Sequence, residues 1–341
     1  MSYKTRNEWI EDAKSRLLQN ERRADKAARE LLFLYDEAAY SIEKEINTLF
    51  ARYATDSHLT ASEASRLLSG REYSHWRKSI EKYIEDTKGK DKAKASKALL
   101  ELNTLAMKSR ISRKEQLLAA VYMAMMDLAG DSETRLTTLL GDMVRVNYYE
   151  SCFSMQKGIG MGFNVAKLDT ALIRQIVSYP WSEKHFSEAV WGACDHIAAV
   201  AKREITLGFI KGSGVDEMAR AIDEVMDRGR YNAQRLVRTE CKYFANQGEL
   251  LAYKENGIKK YRFIGGTEGS THCDCALLNG RVFLVEEAVA GVNFPPMHPN
   301  CLCIVVAAFD KSLFTERKDA RPLSENIKFK EWQEKYAGGA A

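Results

Sequence analysis

Six side chains able to bind a transition metal, or to act as nucleophile or base, fall in two short strings, "THCDC" at 271–275 and "MHPNCLC" at 297–303. They are His272, Cys273, Cys275, His298, Cys301 and Cys303. Zinc takes four Cys or His ligands in a tetrahedron, and a chain usually supplies them as close pairs joined by a longer excursion. Two pairings satisfy that rule. In extended chain i and i+2 share a face, so Cys273 with Cys275 meets Cys301 with Cys303. In turns the favoured spacing is i and i+3, which joins His272 and Cys275 to His298 and Cys301. Pro295, Pro296 and Pro299 hold the second string in a fixed, non-helical shape. Asn279-Gly280 signals a two-residue hairpin between the strings. The cluster therefore predicts a zinc knuckle that closes a small sheet. A Cys–His catalytic dyad is the competing chemistry, but it needs one activated thiolate and an orienting third group, and nothing in the spacing selects one thiol from four. A disulfide is the third use, reserved for an oxidising compartment.

The rest of the chain must position these groups. At 341 residues it has room for two or three domains and at least one sizeable core. Its 45% hydrophobic and 29% charged residues are those of a soluble globular protein, with no window of membrane-spanning length. The first residues, "MSYKTRNEWIEDAKSRLLQ", carry charge throughout and predict no secretory signal. Seven cysteines without such a signal predict reduced thiols, and Cys152, Cys194 and Cys241, isolated in helix-like sequence, read as small buried hydrophobes.

From Glu8 to Thr55 there is no Pro or Gly, and Leu17, Ala24, Leu31, Tyr35, Ala38, Ile42 and Ile46 mark an apolar stripe of helical period. A helix of that length must pack against another long helix or a partner chain. Residues 96–151 read as two helices, the second closed by Gly130. "KGIGMGFNVAKLD" (157–169) breaks the helical pattern; its lone G-x-G predicts a turn rather than a nucleotide loop. Three or four helices with glycine stops at 208, 212 and 257 follow, and β-like sequence begins only at "YRF", "GRVFLV" and "LCIVVAAF". The reading is α+β: a helical N-terminal domain over 1–157, a linker over 158–170, an α+β domain over 171–315 with helices first and a small sheet last, and a tail over 316–341.

A net charge of +4 does not announce a nucleic-acid binder, but its distribution is uneven. Lys88, Lys90, Lys92, Lys94 and Lys97 crowd one run, and Lys108, Arg110, Arg113 and Lys114 add a second. The run reads either as a phosphate-facing patch with steep salt dependence or as a solvated helix junction.

The string "LVRTECKYFANQGELLAYKENGIKKYRF" followed by "CALLNGRVFLVEEAVAGVNFPPMHPNCLC" resembles the phage head-morphogenesis family typified by phage Mu protein F. Arg238, Thr239 and Glu240 match its R-T-E helix, and Gly291, Asn293, Pro295, Pro296, His298, Pro299, Asn300, Cys301 and Cys303 match its ending. The N-terminal half is similar to the helical half of such proteins. The family's first hairpin cysteine falls here on His272 and its second on Cys275, with Cys273 as an extra thiol, and its Arg between the last two cysteines is Leu302. The resemblance implies a non-enzymatic minor capsid protein inside the virion near the portal, present in few copies, acting in procapsid assembly and in genome packaging or ejection. It implies the phage portal protein, double-stranded DNA, and scaffold or major capsid protein as partners, with the basic run 88–114 as the DNA or portal contact. It also implies structural zinc on His272, Cys275, His298 and Cys301, with Cys273 and Cys303 as alternates. Two other functions stay open. One is an ADP-ribosyltransferase-like enzyme with Arg238 on the dinucleotide, against which "LCIVVAAF" offers no late-strand Glu. The other is a general DNA-binding protein.

Overall fold

The computed structural model describes residues 4–57, 113–182, 184–211, 215–265, 273–308 and 317–338. Lys88 to Arg110 of the basic run and His272 lie outside them, as do the side chains of Arg113, Lys114 and Cys273.

The architecture is α+β and mainly helical. Helix α1 spans Arg6–Ser57. It opens on a capping box in which Thr5 Oγ1 accepts from the Glu8 amide (3.3 Å) and Glu8 Oε2 accepts from the Thr5 amide (2.5 Å). Helix α2 (Arg113–Ile159) runs through Gly130 and Gly141 instead of stopping at Gly130. It ends at Gly160, whose φ of 70° is the left-handed cap that glycine supplies. Next come strand β1 (Met161–Gly162), helix α3 (Thr170–Val177, capped by Asp169), helix α4 (Phe186–Lys211) and helix α5 (Val215–Glu255). Gly208 does not end α4: a Cβ there would stand 2.4 Å from Met218 Sδ, so the glycine serves a close approach of α4 and α5.

Strand β2 (Lys260–Ile264) is central in an antiparallel sheet, between β3 (Val282–Leu284) and β4 (Ile304–Ala307). Its register pairs Tyr261 with Phe283 and Phe263 with Val305. Alternation then decides the faces. Tyr261, Val305 and Phe294 enter the main core, whereas Ile304 and Val306 lie with Ala13 of α1 in a separate apolar cluster.

The chain forms two compact units, one from Met1–Ala28, Leu136–Glu183 and Arg235–Ala341, the other from Arg29–Arg135 and Lys184–Gln234. These are not the consecutive domains expected from the glycine-rich break at 157–169. The reason is the helices themselves: α1, α2 and α5 are long enough to contribute residues to both units.

In the first unit α1, α2 and α5 are joined by buried polar bonds. Arg16 pairs with Glu249 (3.0 Å), which also accepts from the Tyr253 hydroxyl (2.9 Å), and Asn20 bonds Asn147 (2.6 Å). Gly248 lets α5 approach α2, since a Cβ there would lie 2.3 Å from the Val144 carbonyl oxygen. The expected tail is part of this core. Strand β5 (Arg321–Pro322) pairs with β1, and helix α7 (Phe329–Tyr336) buries Trp332 completely. Trp332 Nε1 donates to Gln156 Oε1 (2.7 Å), and that buried amide also accepts from the Phe163 N–H (3.2 Å) and donates to the Phe163 carbonyl (2.9 Å).

In the second unit Glu133 of α2 accepts from Ser187 Oγ (2.6 Å) and Trp191 Nε1 (2.8 Å) of α4. Leu34, Tyr35, Ile42, Val121, Met125, Ile197 and Met226 are buried there at helical spacing.

Candidate metal centre

Two loops and a short helix bring the cysteines together. The first piece is α6 (Cys273–Leu278), a helix where extended chain was expected, so the same-face argument for Cys273 and Cys275 does not apply. Asn279-Gly280 is the end of this helix rather than a two-residue hairpin turn. Gly280 at φ 81° meets the same left-handed requirement in either role, which is why the dipeptide read as a hairpin. The turn is tied to β2: Gly280 N–H donates to the Phe263 carbonyl (2.8 Å), and Asn279 Oδ1 accepts from Gly265 N–H (3.0 Å). Cys275 is thereby fixed against Phe263, 1% exposed.

The second piece is the loop 288–301, in which each motif residue has a mechanical role. Gly291 turns the chain at φ 78°. Asn293 Oδ1 accepts from Val289 N–H (2.8 Å), and its Nδ2 donates to the Glu287 carbonyl (2.8 Å). Phe294 enters the core, and Pro295, joined to Pro296 by a cis bond, presents its carbonyl to Asn246 Nδ2 of α5 (2.7 Å). A tight turn follows, with Asn300 at φ 58° and the Cys301 amide donating to the His298 carbonyl (3.2 Å). Leaving the turn, the chain places Cys303 just ahead of β4.

Cys275, His298 and Cys301 offer ligand atoms that all lie within 4.8 Å of one another. Metal–ligand bonds of about 2.0–2.3 Å give a tetrahedron with edges of roughly 3.3–3.8 Å, so small rotamer changes bring the three to a common ion. Cys303 belongs to the same cluster, its thiol hydrogen-bonded to both Cys275 and Cys301. The hydrogen bond of the His298 ring fixes its tautomer. Its Nδ1 lies 2.9 Å from the Pro299 carbonyl, which can only accept, so Nδ1 carries the proton and Nε2 is the basic nitrogen. A hydrogen bond from Cys303 pulls the Cys301 thiol down to about 5 against the opposing effect of burial. Cys303, the donor in that bond, is raised, and burial raises Cys275. Soft sulfur with imidazole suits zinc.

Among the residues expected to act here, Cys275, His298 and Cys301 meet, Cys303 joins them, and His272 and the Cys273 side chain fall outside the described residues. Isolated Cys152, Cys194 and Cys241 are buried, and burial raises all three thiols. The residues of the R-T-E motif diverge. Arg238 pairs with Asp25 of α1 (2.8 Å), and Thr239 Oγ1 donates to the Arg235 carbonyl one turn back (2.8 Å). Glu240, 4% exposed, accepts from Trp181 Nε1 (2.9 Å), and the Trp181 ring stacks on Tyr243 at 4.4 Å. Lys242, two residues beyond the motif, escaped sequence reading although it lines one cavity with Cys301.

Burial pushes the Glu240 carboxyl up to about 7, with the Trp181 bond opposing it. Between roughly pH 4.5 and 7 the folded chain holds this proton more tightly than the unfolded chain does. Stability is therefore lost as pH rises through that window, and the penalty is complete above 7. Glu240→Gln keeps an acceptor for Trp181 without the charge. It is expected to stabilise the protein by about 1–3 kcal/mol at pH 8 and by much less at pH 5. Urea midpoints at the two pH values check this, and equal shifts would refute it.

Among the described residues no helix is long and apolar enough to cross a membrane. No curated protein matches the chain. Among solved structures, a computationally designed three helix bundle aligns with 73% of this chain and 98% of its own at 14% identity; its TM-score of 0.15 carries no argument. The second half of α4, all of α5, the sheet and the thiol-bearing loops coincide with a family match, and the resemblance read from the motifs is borne out there: residues 199–306 match the family described as Phage Mu protein F like protein.

Proposed function

We propose that the chain is a minor head protein of a tailed phage, a virion component that acts in head morphogenesis without catalytic turnover. The observation that carries this reading is the family match over 199–306, which spans the loop 288–301 and all four clustered side chains. In the finer reading the protein sits inside the capsid beside the portal protein, contacts double-stranded DNA, and serves packaging or ejection. The basic run of Lys88, Lys90, Lys92, Lys94, Lys97, Lys108 and Arg110, leading to Arg113 and Lys114 at the start of α2, supports DNA or portal contact through charge.

The metal centre is architectural: Cys275, His298, Cys301 and Cys303 hold one zinc that ties α6 to the start of β4. A non-catalytic role is supported by β4, whose residues Ile304–Ala307 carry no carboxylate, and by Arg238, whose guanidinium is engaged by Asp25. The test is location. In lysates of phage-infected cells the protein is expected to co-sediment with assembled heads and to be captured by immobilised portal protein. Recovery only at the top of the gradient, with no portal capture, would overturn the assignment.

A further inference from the structure

A cavity of about 280 Å³ opens beside the thiol cluster, lined by Glu21 and Asp25 of α1, Arg238 and Lys242 of α5, and Asn300 and Cys301. Both charge pairs sit at i, i+4 on their helices, so an acidic face looks onto a basic one. Asp25 engages Arg238 at 2.8 Å, and deeper in the unit Glu249 engages Arg16 at 3.0 Å. Lys242 lines this cavity together with Glu21 and Cys301; burial disfavours its ammonium, and the charges of Cys301, Glu249, Cys303 and Glu21 favour it. Three thiolates, a neutral imidazole and a divalent ion sum to one excess negative charge, partly withdrawn from water.

We infer that Lys242 is the electrostatic counterpart of the metal centre: its ammonium offsets the surplus charge of the thiolate-rich site and sets its affinity, while Glu21 competes for that ammonium. The inference rests on the metal reading given above. Lys242 supplies no ligand atom; it acts through Cys301 and Cys303, so its loss weakens metal binding and leaves the ligand set intact.

Cobalt(II) provides the probe, because its absorption reports ligand number and type while chelator competition reports affinity. In the full chain, cobalt is expected to give thiolate charge-transfer bands and tetrahedral d–d bands. Lys242→Gln is expected to keep those bands and to lose affinity by about 10-fold, within the range typical of groups that support metal ligands. Lys242→Arg is expected to retain most of the affinity. Glu21→Gln, at a half-exposed position that leaves folding intact, is expected to tighten binding several-fold. Unchanged affinity in both Lys242→Gln and Glu21→Gln overturns the role of Lys242 and leaves the metal centre standing. Should Lys242→Gln fail to fold, unchanged affinity in Glu21→Gln overturns it alone. If the wild-type chain gives no tetrahedral thiolate spectrum, the metal reading fails and the inference fails with it.

Discussion

Cys301→Ser is expected to release the bound metal and to lower stability by about 3–5 kcal/mol, the scale of effect that follows loss of a structural metal. Cys301 is where every element of the site converges. It ends the turn set by Asn300, its thiol takes the hydrogen bond from Cys303, and its ligand atom lies within 4.8 Å of those of Cys275 and His298. Serine cannot supply a thiolate, and the remaining sulfurs stay buried around Phe263 without their partner. Wild-type protein should carry about one zinc per chain by elemental analysis, and the variant close to none. The thermal midpoint should fall by roughly 10 °C, given about 2–4 °C per kcal/mol for a chain of this size class. A wild-type chain purified without metal, with a midpoint indifferent to chelator, would remove the metal centre from the account.

Trp332→Ala is the second large effect, at about 3–5 kcal/mol. Trp332 is 0% exposed, lies within ring contact of Phe153 and Phe329, and donates to Gln156. Its removal leaves a cavity and takes a donor from a buried amide that also fixes both backbone groups of Phe163. Conservative Trp332→Phe fills most of the space but lacks the N–H, so it should cost less, about 1–3 kcal/mol. Equal losses for the two variants, measured as urea midpoints, would show that the hydrogen bond rather than the volume carries the effect. A midpoint unchanged in Trp332→Ala would place residues 316–341 outside the core.

The long helices were legible because an apolar stripe of period 3.6 survives any tertiary arrangement: α1 covers the Glu8 to Thr55 stretch and two residues more at each end. What the stripe covers was not legible, since Ala13, Leu31 and Ile46 look alike in sequence while the first belongs to one compact unit and the others to the second. Glycine misled at 130 and 208 for a related reason. Its sequence signal is freedom of conformation, whereas Gly208 is used for lack of a Cβ inside a continuous helix. Within the site, His298 and Cys301 were legible from the proline-bounded turn. The choice among the thiols was not, because it depends on α6 forming where a strand was expected and on Cys303 entering the cluster from the start of β4. Gln156, Trp181 and Lys242 had no local signature: each matters through a partner 59 or more residues away or across a helix.

The make-up of the first unit also orders events in time. Its main core packs Trp9 of α1 with the second half of α2, the sheet and Trp332 of α7, so residues made first and residues made more than three hundred positions later share one interior. On the ribosome the first part of α1 emerges long before its partners Asn147, Glu249 and Val306, and the core it joins is complete only once α7 is synthesised. Completion of this unit therefore waits for α7. A nascent chain stalled before residue 329 should remain sensitive to protease in the part of α1 up to Ala28, whereas one stalled after residue 338 with enough further chain to clear the exit tunnel should not.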